Sequence, residues 1–285
     1  MCTVISVINN KGGVGKTTST GIISQLLAYL GKKVLVIDLD QQSNLSMMLN
    51  CYFSDPDDVI NGTVLAEVPN VAEVFRYRYR SKEEVESVIQ HTFIENLDII
   101  PSSKRHKNTQ LQINMNETAN NNIILKKALA TIKNEYDYIL IDNAPANDIL
   151  TVNSIFASDL VIIPVRVEGF SYKGLNETIE TINYIVEEHE LDSIKLGAFI
   201  TQAETNTNVF KALFSNYSAE LVEKFYHVPI RKDIKVSEIE TNFCPILEYC
   251  PDTNAVFDYS RLILEMNILP PADAQKLEAA ISYME

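Results

Sequence analysis

The run Asn10-Lys11-Gly12-Gly13-Val14-Gly15-Lys16-Thr17-Thr18 constrains this chain more than any other feature. An apolar stretch, Val4 to Ile8, precedes it and reads as a buried strand. Ile22, Ile23, Leu26, Leu27 and Leu30 follow at helical spacing. Strand, glycine loop and helix make the frame of a phosphate-binding loop. Glycine permits the tight turns that aim backbone N–H groups at an anion, and the helix N-terminus adds partial positive charge there. A glycine turn that binds nothing would leave two lysines and two threonines at this spacing unexplained.

The ordinary loop carries glycine five positions before Gly15, where this chain has Asn10. A second lysine, Lys11, stands ahead of Gly12-Gly13 instead. This two-lysine form resembles the deviant Walker A motif of the ParA/MinD ATPases.

Two further strands end in carboxylates. Lys33 to Asp38 is short and apolar and runs into Asp38-Leu39-Asp40-Gln41-Gln42-Ser43-Asn44. Carboxylates at i and i+2 on a strand end point the same way, which suits a Mg²⁺ hydration shell and an attacking water. The segment resembles the ParA switch, with Gln41 in place of its usual proline. Tyr136 to Asp142 reads as another buried strand, ending where a Walker B carboxylate belongs. Asn143-Ala144-Pro145 follows it and keeps one of the two prolines usual in the family. Leu97 to Ser102, Ala157 to Val165, Leu196 to Thr201 and Val228 to Glu238 extend the resemblance to about residue 268.

The resemblance implies one doubly wound α/β domain over residues 1–270, with a mostly parallel sheet and helices on both faces. Residues 51–95 are the variable part, expected as helices and loops on one edge, and 271–285 form a C-terminal helical tail. ParA-type proteins bind ATP as a sandwich dimer with Mg²⁺, and the roles carry over by position. Gly12, Gly13, Val14 and Gly15 line the phosphates. Lys16 contacts the β- and γ-phosphates, Thr17 places its hydroxyl on Mg²⁺, and Thr18 touches the α-phosphate. Lys11 reaches the partner's nucleotide, Asp40 positions the hydrolytic water, and Asp38 and Asp142 sit in the outer shell of the Mg²⁺. Adenine is expected near the strand ends around Gln202 and Pro229.

Composition limits what surrounds this switch. The formal net charge of −14 excludes a protein that coats nucleic acid by bulk charge. DNA contact then needs a local basic patch. Arg231, Lys232 and Lys235 lie where family members carry DNA-contacting residues. Arg76 to Lys82, alternating arginine with tyrosine, and Lys104 to Lys107 are two other clusters. An arginine usual in the family is Asn206 here. Cys2, Cys51, Cys244 and Cys250 lack metal-pair spacing, read as reduced thiols, and do not resemble the cluster ligands of nitrogenase iron proteins. Lys11 likewise disfavours a synthetase of the same class. No apolar run approaches the length of a membrane span, and no signal peptide precedes the first strand. The tail places Leu277, Ala280, Ile281 and Met284 on one helical face, with Lys276 against Asp273, Glu278 and Glu285, unlike the basic lipid-binding tail of MinD relatives.

The reading that follows is a cytoplasmic, nucleoid-associated partition ATPase. It forms an ATP homodimer, binds DNA without sequence preference, and works with a ParB-like centromere-binding partner, away from any membrane. The alternative is a MinD-like ATPase that positions a protein cargo.

Overall fold

The computed structural model describes residues 2–51, 59–60, 63–64, 69–77, 81–102, 109, 121–167, 171–189, 191, 194–220, 224–236, 238 and 244–284. Its centre is a seven-stranded sheet in the order β5-β6-β2-β7-β1-β8-β9. The strands are β1 (Thr3–Val7), β2 (Val34–Asp38), β5 (Gln90–His91), β6 (Leu97–Ile100), β7 (Tyr138–Asp142), β8 (Leu160–Arg166) and β9 (Lys195–Thr201). All neighbours pair in parallel except β5, which runs antiparallel to β6 at the edge. A separate antiparallel pair, β3 (Val59–Ile60) and β4 (Thr63–Val64), lies outside this sheet.

Continuous apolar strands are what a sheet buried on both faces requires. Val34 and Val36 of β2 point into one core, while Leu35 and Ile37 point into the other. The first core holds Ile22, Ile23, Leu26 and Leu27 of α1 (Lys16–Tyr29). The second holds Leu125, Ala128, Leu129 and Ile132 of α5 (Ile124–Ile132). Between these helices in sequence lie α2 (Asn44–Met48), α3 (Val71–Tyr77) and α4 (Lys82–Glu86). A third cluster, under β8 and β9, takes Leu175, Ile179 and Ile182 from α7 (Ser171–Glu188). The segment before it, α6 (Ile149–Ala157), starts on Asp148, whose carboxylate accepts the Leu150 and Thr151 amides.

The C-terminal helices share the first core. After α8 (Asn208–Glu220) and α9 (Ile246–Tyr249), α10 (Asn254–Glu265) buries Tyr259, Leu262 and Ile263. The tail is α11 (Pro271–Met284), which docks on the body through Leu277 and Ile281 and through an ion pair of Lys32 with Asp273.

Within residues 51–95 the structure adds strands that the sequence did not announce. Strand β5 is two residues long, too short for any periodicity, and tertiary pairing creates it. The chain turns back after it through Asn96, held at φ 64°, so that Gln90 faces Ile99 and His91 faces Asp98. Gly197 on β9 carries a packing requirement. A Cβ there would come within 2.1 Å of the Tyr226 ring. The Tyr226 amide donates to Ala198 O at 2.7 Å, which holds that residue's backbone against β9. Gly197→Ala is expected to lower stability by about 1–3 kcal/mol through overpacking. Chemical denaturation checks this; an unchanged midpoint would mean that the ring swings away freely.

Candidate active site

The phosphate loop joins β1 to α1. Gly13 and Gly15 sit at φ 71° and 87°, in the left-handed region where a side chain is penalised. Asn9 braces the entry. Its amide donates to Pro164 O at 2.8 Å and its carbonyl accepts from the Lys11 amide at 2.9 Å. Lys16 is 7% exposed, and its ammonium donates to Lys11 O at 2.9 Å. Burial lowers its pKa, while Asp142 and Asp40 oppose that shift.

Strand register places the carboxylates. Asp38 and Asp142 are direct neighbours at the ends of β2 and β7, and both are fully buried. Asp38 accepts the Ser46 hydroxyl at 2.7 Å, the Ser46 amide at 3.0 Å and the Asp40 amide at 3.0 Å. Burial still raises its pKa to about 7. Asp142 is raised well above the ordinary carboxylate range, first by burial and then by Asp38, against a hydrogen bond from Thr17. Among the described residues its Oδ2 has no hydrogen-bond partner. Two adjoining buried carboxylates, one with an orphaned oxygen, beside a threonine hydroxyl form an oxygen-rich set that fits a hard divalent cation. Thr17, Asp38 and Asp142 would hold Mg²⁺ or its water here.

A cavity of about 390 Å³ opens above the loop. Gly12, Gly13, Gly15, Lys16, Thr17, Thr18 and Asp40 line it. Asn44 of the switch segment and Pro145, the retained family proline, also line it, as do Met47 and Met48, which were not singled out from sequence. Met47 and Met48 had no signal beyond their closeness to the switch, since methionine is usually packing. Asp40 is half-buried, and among the described residues its Oδ1 accepts only within its own turn, from the Gln42 amide at 2.9 Å. The departure at Asn143 is absorbed structurally. Its amide donates to Val7 O at 3.2 Å and Ser154 Oγ at 2.9 Å, tying β7 to β1 and α6.

Lys11 lies elsewhere. Together with Val14 it borders a second, smaller recess with Arg166, Gly174 and Leu175. Its stem crosses Gly174 of α7 so closely that a Cβ there would be 2.9 Å from Lys11 Cε. In the single chain, therefore, Lys11 folds along its own α7, outside the main cavity.

The three late cations are each matched by a carboxylate. Arg231 binds Asp258 in bidentate fashion, Nη2 to Oδ1 at 2.7 Å and Nε to Oδ2 at 2.9 Å. Lys232 pairs with Glu204 at 3.1 Å and Lys235 with Glu238 at 2.8 Å. Arg261 on α10 shares the Phe257 ring with Arg231, at 5.5 and 5.6 Å from its centroid. Of the other clusters, Arg78, Tyr79 and Arg80 and the whole of Lys104 to Lys107 lie outside the described residues.

Residues 2–196 match a family described as an AAA domain (AAA_31). The chain is 29% identical over 263 residues to the sporulation initiation inhibitor protein Soj of Bacillus subtilis, covering 92% of this chain and 97% of that one. Among solved structures it is similar to a plasmid partition protein of Borrelia burgdorferi B31 bound to AMPPNP. The TM-score there is 0.73 at 24% identity, covering 94% of this chain and 99% of that chain. It is also similar to cobyrinic acid a,c-diamide synthase of Mycobacterium smegmatis with ADP and magnesium, at a TM-score of 0.70 and 25% identity, covering 85% and 93%. With a phosphate loop, a buried carboxylate pair and a family match over most of its length, the chain belongs to the ParA/MinD family as a ParA-type ATPase.

Proposed function

We propose that this partition ATPase works as an ATP-gated homodimer that holds DNA without sequence preference and answers to a ParB-like, centromere-binding partner. ATP and Mg²⁺ are its cofactors. The observation that carries the dimer is Lys11. It stands next to the phosphate loop but lines the smaller recess outside the cavity of its own chain, and the resemblance gives this lysine the role of reaching the partner's nucleotide. ATP hydrolysis depends on positioning and on neutralising phosphate charge. A lysine given across an interface would make the active site complete only in the pair, and loss of the γ-phosphate would release it. Within each chain, Lys16 and the loop amides hold phosphate, Thr17, Asp38 and Asp142 hold the cation, and Asp40 orients the attacking water.

Action at the nucleoid in the cytoplasm accords with the Soj and ParA names of the relatives. Among the described residues no helix is long and apolar enough to cross a membrane. The DNA-contacting residues in this reading are Arg231, Lys232 and Lys235. A second reading, a protein cargo in place of DNA, draws on their ion pairs. Cations already neutralised within the chain attract phosphate weakly.

Gel filtration and DNA retention with ATP, ADP and no nucleotide separate the readings. The expected result is a doubled mass and DNA retention with ATP alone, steeply weakened by salt. Lys11→Ala should stay monomeric in ATP. A dimer that forms equally well without Lys11 would defeat the proposed role of that residue. An ATP dimer that ignores DNA would favour the protein cargo.

A further inference from the structure

Strand β9 ends beside the phosphate loop although almost two hundred residues separate them in sequence. The Thr201 hydroxyl donates to Val14 O at 2.8 Å, and the Gln202 side-chain amide donates to Gly13 O at 3.1 Å. We propose that Thr201 and Gln202 are positioning residues that set the phosphate loop by drawing two consecutive carbonyls away from the nucleotide.

A trans peptide is planar, so its C=O and N–H point in opposite directions. Pulling the Gly13 and Val14 carbonyls toward β9 therefore turns the Val14 and Gly15 N–H groups the other way. Sheet order decides what lies there. β9 is beyond β8 on one side of β1, whereas Asp40 follows β2 and Pro145 follows β7 on the other side. The cavity is lined by Asp40 and Pro145 and lies on that far side. The two amides are thus aimed toward the anion site by bonds made on the opposite face.

Three other observations fit. Gly15, at φ 87°, rests on Thr201, whose Cγ2 would lie 3.7 Å from a Cβ on that glycine. Thr201 is 2% exposed, so its hydroxyl has no water to bond in place of the carbonyl. Gln202 itself adopts φ 50°, an unfavourable left-handed conformation for a residue with a side chain. The next residue holds that kink in place. The Ala203 amide donates to Ile230 O at 2.8 Å, and Ala203 O accepts from the Lys232 amide at 3.1 Å. Strain held beside the phosphate loop accompanies a functional constraint on geometry. The Gln202 side chain is thereby engaged with the loop and is not simply a wall for the base.

Calorimetric titration with Mg²⁺-free ADP and with inorganic tripolyphosphate tests this, because the second probe lacks a base. Thr201→Val and Gln202→Met keep size and remove the donor; Thr201→Ser keeps the hydroxyl. Each loss of a donor is expected to weaken both probes roughly five- to thirtyfold, the factor for one missing hydrogen bond, with Thr201→Ser near the parent. Should Thr201→Val fail to fold, Gln202→Met still tests the proposal, since its side chain is partly exposed. Unchanged tripolyphosphate affinity in Gln202→Met would overturn the proposal. So would a loss seen with ADP alone, which would make these residues base contacts, or an equal loss in Thr201→Ser and Thr201→Val.

Discussion

Lys16→Ala is expected to lower ATP turnover by about a hundredfold or more, the scale for removing a charge that stabilises the transition state. Lys16 is almost fully buried, and the carboxylates of Asp142 and Asp40 act on its ammonium directly. It donates to Lys11 O, a bond that a phosphate oxygen would compete for. Alanine leaves the loop amides in place but removes the cation that balances incoming phosphate. Binding should weaken as well, because the contact exists in the ground state and strengthens as charge develops. Phosphate release and nucleotide titration measure the two effects. Turnover within a few-fold of the parent would refute the assignment of Lys16.

Asp40→Ala is expected to act differently. Hydrolysis should fall by about 10²–10⁴, the range for a residue that positions or accepts a proton, while nucleotide affinity stays near the parent value. Asp40 lines the cavity and, among the described residues, its side chain accepts a hydrogen bond only from the Gln42 amide in its own turn, so its loss breaks little structure. Asp38 provides the contrast. Its carboxylate ties β2 to Ser46 through two bonds, and Ser46 in turn accepts the Ser102 amide at 3.0 Å. Removing Asp38 therefore breaks structure as well as chemistry. Single-turnover hydrolysis with a parallel affinity measurement checks the Asp40 variant. A parallel loss of affinity would move Asp40 from water positioning to phosphate or metal binding.

Much of the fold is legible from local pattern. Val34 to Ile37 is apolar at every position, and that short run, rich in β-branched residues, fits a strand covered on both faces. The glycine loop lies between a strand and a helix because its own residues demand that geometry. Strand β5 was not legible, because two residues carry no period and the pairing partner supplies the reason for it. The late cations show a different limit of sequence reading. Arg231, Lys232 and Lys235 read as available positive charge, yet Asp258 and Glu204 reach two of them from 27 and 28 positions away. Net charge and clusters count residues, whereas an ion pair depends on which helix faces which loop.

The chain's own order of residues determined the loop, the strand ends that carry Asp38 and Asp142, and hence the phosphate chemistry. These depend on contacts between near neighbours and on the alternation of a strand. Tertiary structure decided the rest. It put Asp38 beside Asp142, laid Lys11 across Gly174, and brought Thr201 and Gln202 to the carbonyls of Val14 and Gly13. Those meetings follow from strand order and helix crossing. They join residues too distant in sequence for any local spacing to encode.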